Sequence, residues 1–223
     1  MIEINEIFSE SDQRLAFWCE GVADTNDLAI MAESIINENI HLISVLPEIV
    51  PLVWPYLEKS KVKILTRYNF NPIQRNIDSE IYDLSANISA IFKKGANGVQ
   101  IFLKLNDFER FIDSISSVRD DLFFNRDLSI GLDISDIDIH NLDKFFEKLR
   151  DIRADSLVLT LNEDMGNRSD FVGRLYAILH HWNMNGELHF LLNNDYDRMD
   201  QAIRLVESEK PELSDKLKFF LNY

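Results

Sequence analysis

This chain has little of what usually pins a protein together covalently or breaks it into pieces. Cys19 is the only cysteine in 223 residues, so no disulfide can form within one chain. Such sparing use of cysteine belongs to a reducing compartment. Lying in the apolar stretch 15–19, Cys19 reads as a buried small hydrophobe rather than a nucleophile. Seven glycines and five prolines leave no flexible linker and no boundary, so one domain over 1–223 is expected. No apolar run approaches the ~20 residues of a membrane span. The first residues carry Glu3, Glu6, Glu10 and Asp12 where a signal sequence would have a basic start and an apolar middle. These absences predict a cytoplasmic protein with no membrane partner.

Positive charge is also short. There are 23 Lys and Arg against 38 Asp and Glu, a formal net charge of −15 and a pI near 4.7, which repels phosphate backbones and anionic surfaces. The richest basic stretch, 59–67, alternates with apolar residues as a strand does, so nucleic acid is not an expected partner.

What the chain does have is alternation. With 46% apolar residues it can fill a sizeable core. Short apolar runs suited to strands buried on both faces fall at 14–19, 40–45, 61–66, 99–103, 128–134, 156–161, 188–192 and 217–223. Between them, helical spacing predicts helices at 28–37, 50–59, 80–94, 108–121, 142–152, 171–182 and 198–208. The third of these stops at Gly95, read as a C-cap, and 69–72 reads as a loop. Seven or eight βα units predict an α/β fold, a parallel (β/α)8 TIM-type barrel. Its eighth unit lacks a helix, which leaves closure open.

Function in such a barrel sits at the C-terminal ends of the strands. Those ends bring Glu20, Arg67, Lys104, Asp133, Asn162, Glu163, Asn193 and Asn194 to one rim. A desolvated Lys104 could serve as a Schiff-base amine, with Asp133 or Glu163 carrying protons. Its bland counterpart is a solvated lysine at a strand end. Arg67, Asn162 and Asn193 would bind substrate. The planar fork of Arg67 suits a carboxylate or phosphate, and equally a salt bridge to a loop carboxylate.

The run Asp133-Ile-Ser-Asp-Ile-Asp-Ile-His140 holds metal-ligand types but not the spacing of a calcium loop. Capping by Asp138 of a helix starting near Asn141 accounts for it better, and neither a metal nor a cofactor is expected. His181 beside Trp182 reads as packing. Aromatic pairs at 123–124, 145–146 and 219–220 read as core. Phe219-Phe220 with Tyr223 is the best candidate for a contact between copies in a homo-oligomer.

Several short strings resemble the deoxyribose-phosphate aldolase family, a class I aldolase barrel. They are Ser44-Val-Leu-Pro-Glu-Ile-Val-Pro51, Ser60-Lys-Val-Lys-Ile-Leu-Thr66 with Asn69-Phe70, and Lys94-Gly-Ala-Asn-Gly-Val99. The resemblance spans roughly 15–192 and implies carbon–carbon bond chemistry through a lysine imine. It places that lysine on strand six, after an Ala-Asp pair. Ala154-Asp155 is present, but the string that follows puts Val158 at the lysine, and valine cannot form an imine. By the same resemblance a second lysine falls near His189 or Phe190, and the strand-four aspartate at Gln100. The phosphate-cradling glycines fall near Asn193-Asn194, where asparagine tolerates left-handed geometry but obstructs a phosphate.

The chain therefore reads as an aldolase-like barrel without aldolase activity, binding a small metabolite or a protein partner. A lyase or isomerase acting on a carbonyl or sugar-phosphate substrate through Lys104 is the alternative.

Overall fold

A computed structural model describes Phe8 and residues 13–21, 25–70, 77–161 and 168–222, with the backbone alone at 25, 77–80, 168 and 169. The order is β1 (Leu15–Trp18), α1 (Thr25–Asn37), β2 (Leu42–Val45), α2 (Val50–Leu57), β3 (Lys63–Phe70) and α3 (Ile77–Phe92). It continues with β4 (Gly98–Leu103), α4 (Leu105–Ser116), the short α5 (Arg119–Leu122), β5 (Asp127–Asp133), α6 (Leu142–Asp151) and β6 (Ser156–Thr160). Then come α7 (Arg168–His181), β7 (Glu187–Leu191), α8 (Tyr196–Glu209), a 3₁₀ turn (Pro211–Lys216) and β8 (Leu217–Asn222). All eight strands pair in parallel and in sequence, and β8 closes the barrel against β1 through Leu15–Phe219 to Trp18–Asn222. Closure rests on the backbone pairing of β8 with β1 and β7.

Alternation sends the two faces of each strand to different neighbours. Ala16, Trp18, Leu42, Leu65 and Phe220 form an inner cluster with Phe102 and Leu191. The intervening residues (Ile43, Val45 and Ile64, and on the far side Val99, Ile101 and Leu128) pack outward under the helices. Helices present one stripe to that layer. Phe108, Phe111, Ile112 and Ile115 of α4, and Leu142, Phe145, Phe146 and Leu149 of α6, repeat the i, i+3, i+4, i+7 spacing, and Phe108 meets Phe145 at 4.9 Å. Gly95 ends the α3 segment with φ +114°, and a Cβ there would lie 1.9 Å from the Trp54 ring, so both conformation and space require glycine.

Two expectations are corrected. Asn69 and Phe70 are not loop but the end of β3, because β4 is long enough to pair with them through Phe102 and Leu103. Phe219 and Phe220 are not an exposed contact between copies: both are fully buried, Phe220 inside the barrel and Phe219 outside it, stacked on Phe190 at 5.1 Å. Residues adjacent in a strand point to opposite faces, and here both faces are covered. Phe124, 76% exposed beside buried Phe123, is the paired aromatic that does reach solvent.

Candidate functional site

The barrel has two mouths, and the C-terminal one is where the fold places chemistry. Arg67, inward on β3, is 9% exposed. Its guanidinium lies 4.0 Å over the Trp18 ring, Nη1 donates to the Ser44 carbonyl at 3.0 Å, and Nη2 donates to the Cys19 carbonyl at 2.6 Å. Burial pushes its pKa down, opposed by the charges of Cys19, Glu20 and Glu48. The two carbonyls sit at the ends of β2 and β1, so the side chain ties three strand ends together. No carboxylate among the described residues forms a salt bridge with it.

The other rim residues are dispersed. Lys104 is the N-cap residue of α4, exposed and without a side-chain capping bond. Asp133, half-buried at the end of β5, accepts hydrogen bonds from the Ser135 backbone N–H at 2.7 Å and from the Ser135 hydroxyl. Asn193 and Asn194 both adopt left-handed backbone, φ 50° and 60°, and the Asn194 side chain accepts from the Asn222 N–H at 3.1 Å. Asp195 then caps α8, accepting from the Arg198 N–H at 3.1 Å, so a carboxylate already occupies the place an anion would take at that helix start. Asn162 and Glu163 lie outside the described residues.

Val158 is fully buried on β6, in register with Gly131 and His189. Phe102 occupies the space over Gly131, where a Cβ would come within 2.2 Å of its ring. Trp18 meets Phe102 at 5.6 Å and Phe220 at 5.9 Å, both edge-to-face. These three rings fill the barrel centre. Buried Gln100 accepts from the Ser44 hydroxyl at 2.5 Å through Oε1 and leaves Nε2 without a partner.

Expectations for other polar residues resolve simply. Asp138 accepts from the His140 N–H at 3.0 Å and the Asn141 side chain at 2.5 Å, so it holds a turn before α6 and does not cap the helix, whose N-cap residue is Asn141 with no side-chain capping bond. No metal-binding cluster occurs among the described residues. Cys19 is buried and its thiol pushed up by that burial. His181 pairs with Asp143 at 2.8 Å as well as neighbouring Trp182.

The N-terminal mouth is different. It holds a basin of about 810 Å³, within the range of small-molecule sites. Six cations line it (Lys61, Lys63, Arg150, Arg153, Lys216 and Lys218). Among the described residues its carboxylates are three, Asp127, Asp155 and Glu187. Lys63 bonds Asp127 at 2.8 Å, whereas Lys216 and Lys218 donate only to the backbone carbonyls of Asn185 and Gln13, each at 2.9 Å.

Polar residues line its inner wall. The Ser156 hydroxyl bonds that of Ser129 at 2.6 Å. His189, 2% exposed, has Nε2 2.8 Å from Glu187, and its Nδ1 is buried without a partner. Burial pushes the His189 pKa down despite Glu187. Burial also acts to raise Glu187, but the bond to His189 outweighs it and leaves that carboxyl low. Both shifts describe a neutral imidazole donating Nε2–H to a carboxylate, which leaves Nδ1 as a free acceptor.

Reading strand C-termini alone passes over this mouth. The available signal was the repeat Lys61-Val-Lys63 and Lys216-Leu-Lys218, since residues two apart at a strand start share a face.

No protein-family model matches the chain, and no curated protein matches its sequence. Solved structures do resemble it. An aldolase designated QR15 superposes with a TM-score of 0.67 at 14% identity, covering 96% of this chain and 92% of its own. The tetrameric deoxyribose phosphate aldolase from Aeropyrum pernix gives 0.66 at 11% identity, covering 94% and 85%. Orotidine 5′-phosphate decarboxylase from Pyrococcus horikoshii gives 0.58 at 14% identity, covering 93% and 88%. At such identities the shared property is architecture: this chain has the closed parallel (β/α)8 barrel fold that these aldolases and the decarboxylase have.

Proposed function

We propose that this protein is an aldolase-like barrel that does not form a lysine imine and works by binding a small metabolite. Val158 carries the reading. It is fully buried at the strand-six position where the family resemblance calls for the amine, and the neighbouring centre is filled by Trp18, Phe102 and Phe220. An imine needs a nucleophilic nitrogen and room for a carbonyl carbon beside it. Valine supplies neither.

The alternative, a lyase or isomerase through Lys104 with Asp133 as proton carrier, requires a desolvated amine. Lys104 is exposed on the rim. Incubation with a panel of aldehydes, ketones and sugar phosphates, followed by borohydride and intact-mass measurement, tests the reading. We expect unmodified mass throughout. A substrate-sized adduct on any lysine would overturn it.

A further inference from the structure

We infer that the N-terminal mouth of the barrel is a binding site for a small hydroxylated polyanion, such as a phosphorylated or polycarboxylated polyol. The inference deepens the binding reading above, rests on it, and assigns its place and ligand class. Its first support is charge. A chain of net charge −15 concentrates six of its cations around one basin that has, among the described residues, three carboxylates. Lys63 pairs with Asp127 and Arg153 with Asp120, which leaves Lys61, Arg150, Lys216 and Lys218 with no such pair among the described residues, an excess of like charge that an external anion would offset.

Helix dipoles account for part of the cluster only. Arg150 sits in the last turn of α6 and Arg153 just beyond it, where the negative end of the helix favours cations. Lys61, Lys63, Lys216 and Lys218 belong to the starts of β3 and β8 instead. Of these, Lys63 alone has a carboxylate partner among the described residues. Lys216 and Lys218 are held by backbone carbonyls, which position an ammonium without neutralising it. Each keeps donors for a ligand.

The second support is the inner wall. His189 Nδ1 is buried without a partner, and in the tautomer that donates Nε2–H to Glu187 it is a lone pair, a costly arrangement unless a donor reaches it. A bare phosphate offers no donor there at neutral pH beyond its single proton, whereas a polyol hydroxyl does. Ser129 and Ser156 add hydroxyls that can donate or accept. The basin thus asks for anionic groups at its rim and hydroxyl groups at depth, in about 810 Å³.

Isothermal titration at constant ionic strength, with fructose 1,6-bisphosphate, citrate and inorganic pyrophosphate as probes, tests this. We expect saturable one-to-one binding of at least one hydroxylated probe, separating phosphate from carboxylate ligands, and weaker binding of pyrophosphate. The double variant Lys216→Gln/Lys218→Gln should weaken binding at least tenfold. Should that variant fail to fold, exposed Lys61→Gln/Arg150→Gln carries the same test with a smaller loss of about threefold. His189→Phe should weaken the hydroxylated probes and leave pyrophosphate unchanged. No saturable binding of any probe at 10 mM (on the order of the weakest useful affinity,), or binding that none of the variants alters, would overturn the site. The borohydride experiment reads a lysine adduct and not basin occupancy, so the two proposals fail separately.

Discussion

The two halves of the barrel interior are built to opposite rules. Toward the C-terminal end, inward positions carry Trp18, Phe102, Val158 and Phe220, with Arg67 tying three strand ends over them. Toward the N-terminal end they carry Lys63, Asp127, Ser129, Ser156, Glu187 and His189 around an open basin. In barrels of this architecture the first end usually does the chemistry and the second supplies stability. Here the packed, apolar half has the character of a core and the polar half that of a site. Fold alone would have assigned them the other way round, because fold fixes where strands begin and end and leaves the inward residues free to change.

The sharpest way to break the comparison is to empty the packed half. Phe220 is fully buried between Trp18 and the His189 ring, 5.9 and 5.6 Å away. Phe220→Ala should lower unfolding free energy by about 3–5 kcal/mol, the range for deleting a buried aromatic. Denaturant unfolding measures it. A loss under about 1 kcal/mol would mean that the centre is loosely packed and that the upper mouth has room for a ligand after all.

A smaller effect follows from adding atoms there. Gly131→Ala brings a Cβ to 2.2 Å from the Phe102 ring, which must move, and Trp18 lies against that ring. Overpacking of this kind costs about 1–3 kcal/mol. The double variant Gly131→Ala/Phe102→Leu should recover part of the loss, as residues in contact do not add independently. Simple additivity would show that Gly131 serves the backbone and not the ring.

These two predictions rest on features that the sequence conveys unequally. Strand and helix periodicity, the Gly95 cap and the aldolase-like strings were legible, because they are local patterns of two to four residues. The ends of strands were less so: Asn69-Phe70 looks like a turn until β4 pairs with it. Phe219-Phe220 reads as core or as a contact between copies, and only the long-range closing of β8 onto β1 decides for core. The basin was hardest. Its cations come from positions 61 to 218 and meet only because parallel closure gathers the strand starts at one mouth. Of the proposed rim site, residue types were legible and burial was not: nothing local distinguishes exposed Lys104 from buried Arg67.

Acid should discriminate the halves next. His189 has a folded-state pKa held below its ordinary 6.5 by burial. The unfolded chain therefore binds the extra proton first as pH falls, and folding stability drops between pH 6.5 and the lower folded value. Above 6.5 this contribution is fully present. The slope within the window is at most about 1.4 kcal/mol per pH unit for one proton. Glu187, held low in the folded state, loses its contribution only at more acidic pH, below its ordinary 4.5. Unfolding free energies at pH 7.5 and 5.5, compared between the native chain and His189→Gln, should show a flatter acid limb in the variant. Parallel limbs would place the titration elsewhere and leave the polar half without a pH signature.

The smallest effect is expected where catalysis would have been sought first. Lys104 caps α4 by position only: its side chain makes no capping bond and is exposed. Substitution of such a residue changes stability by within about 0.5 kcal/mol, and Lys104→Met removes the ammonium while keeping the apolar stem. Thermal unfolding and probe affinity at the N-terminal basin should both stay at the native level, since the residue belongs to the opposite mouth. A fall in affinity would mean that ligand reaches the C-terminal rim. Lys104 would then gain a binding role that its exposure alone does not suggest, and the division between a packed half and a binding half would have to be withdrawn.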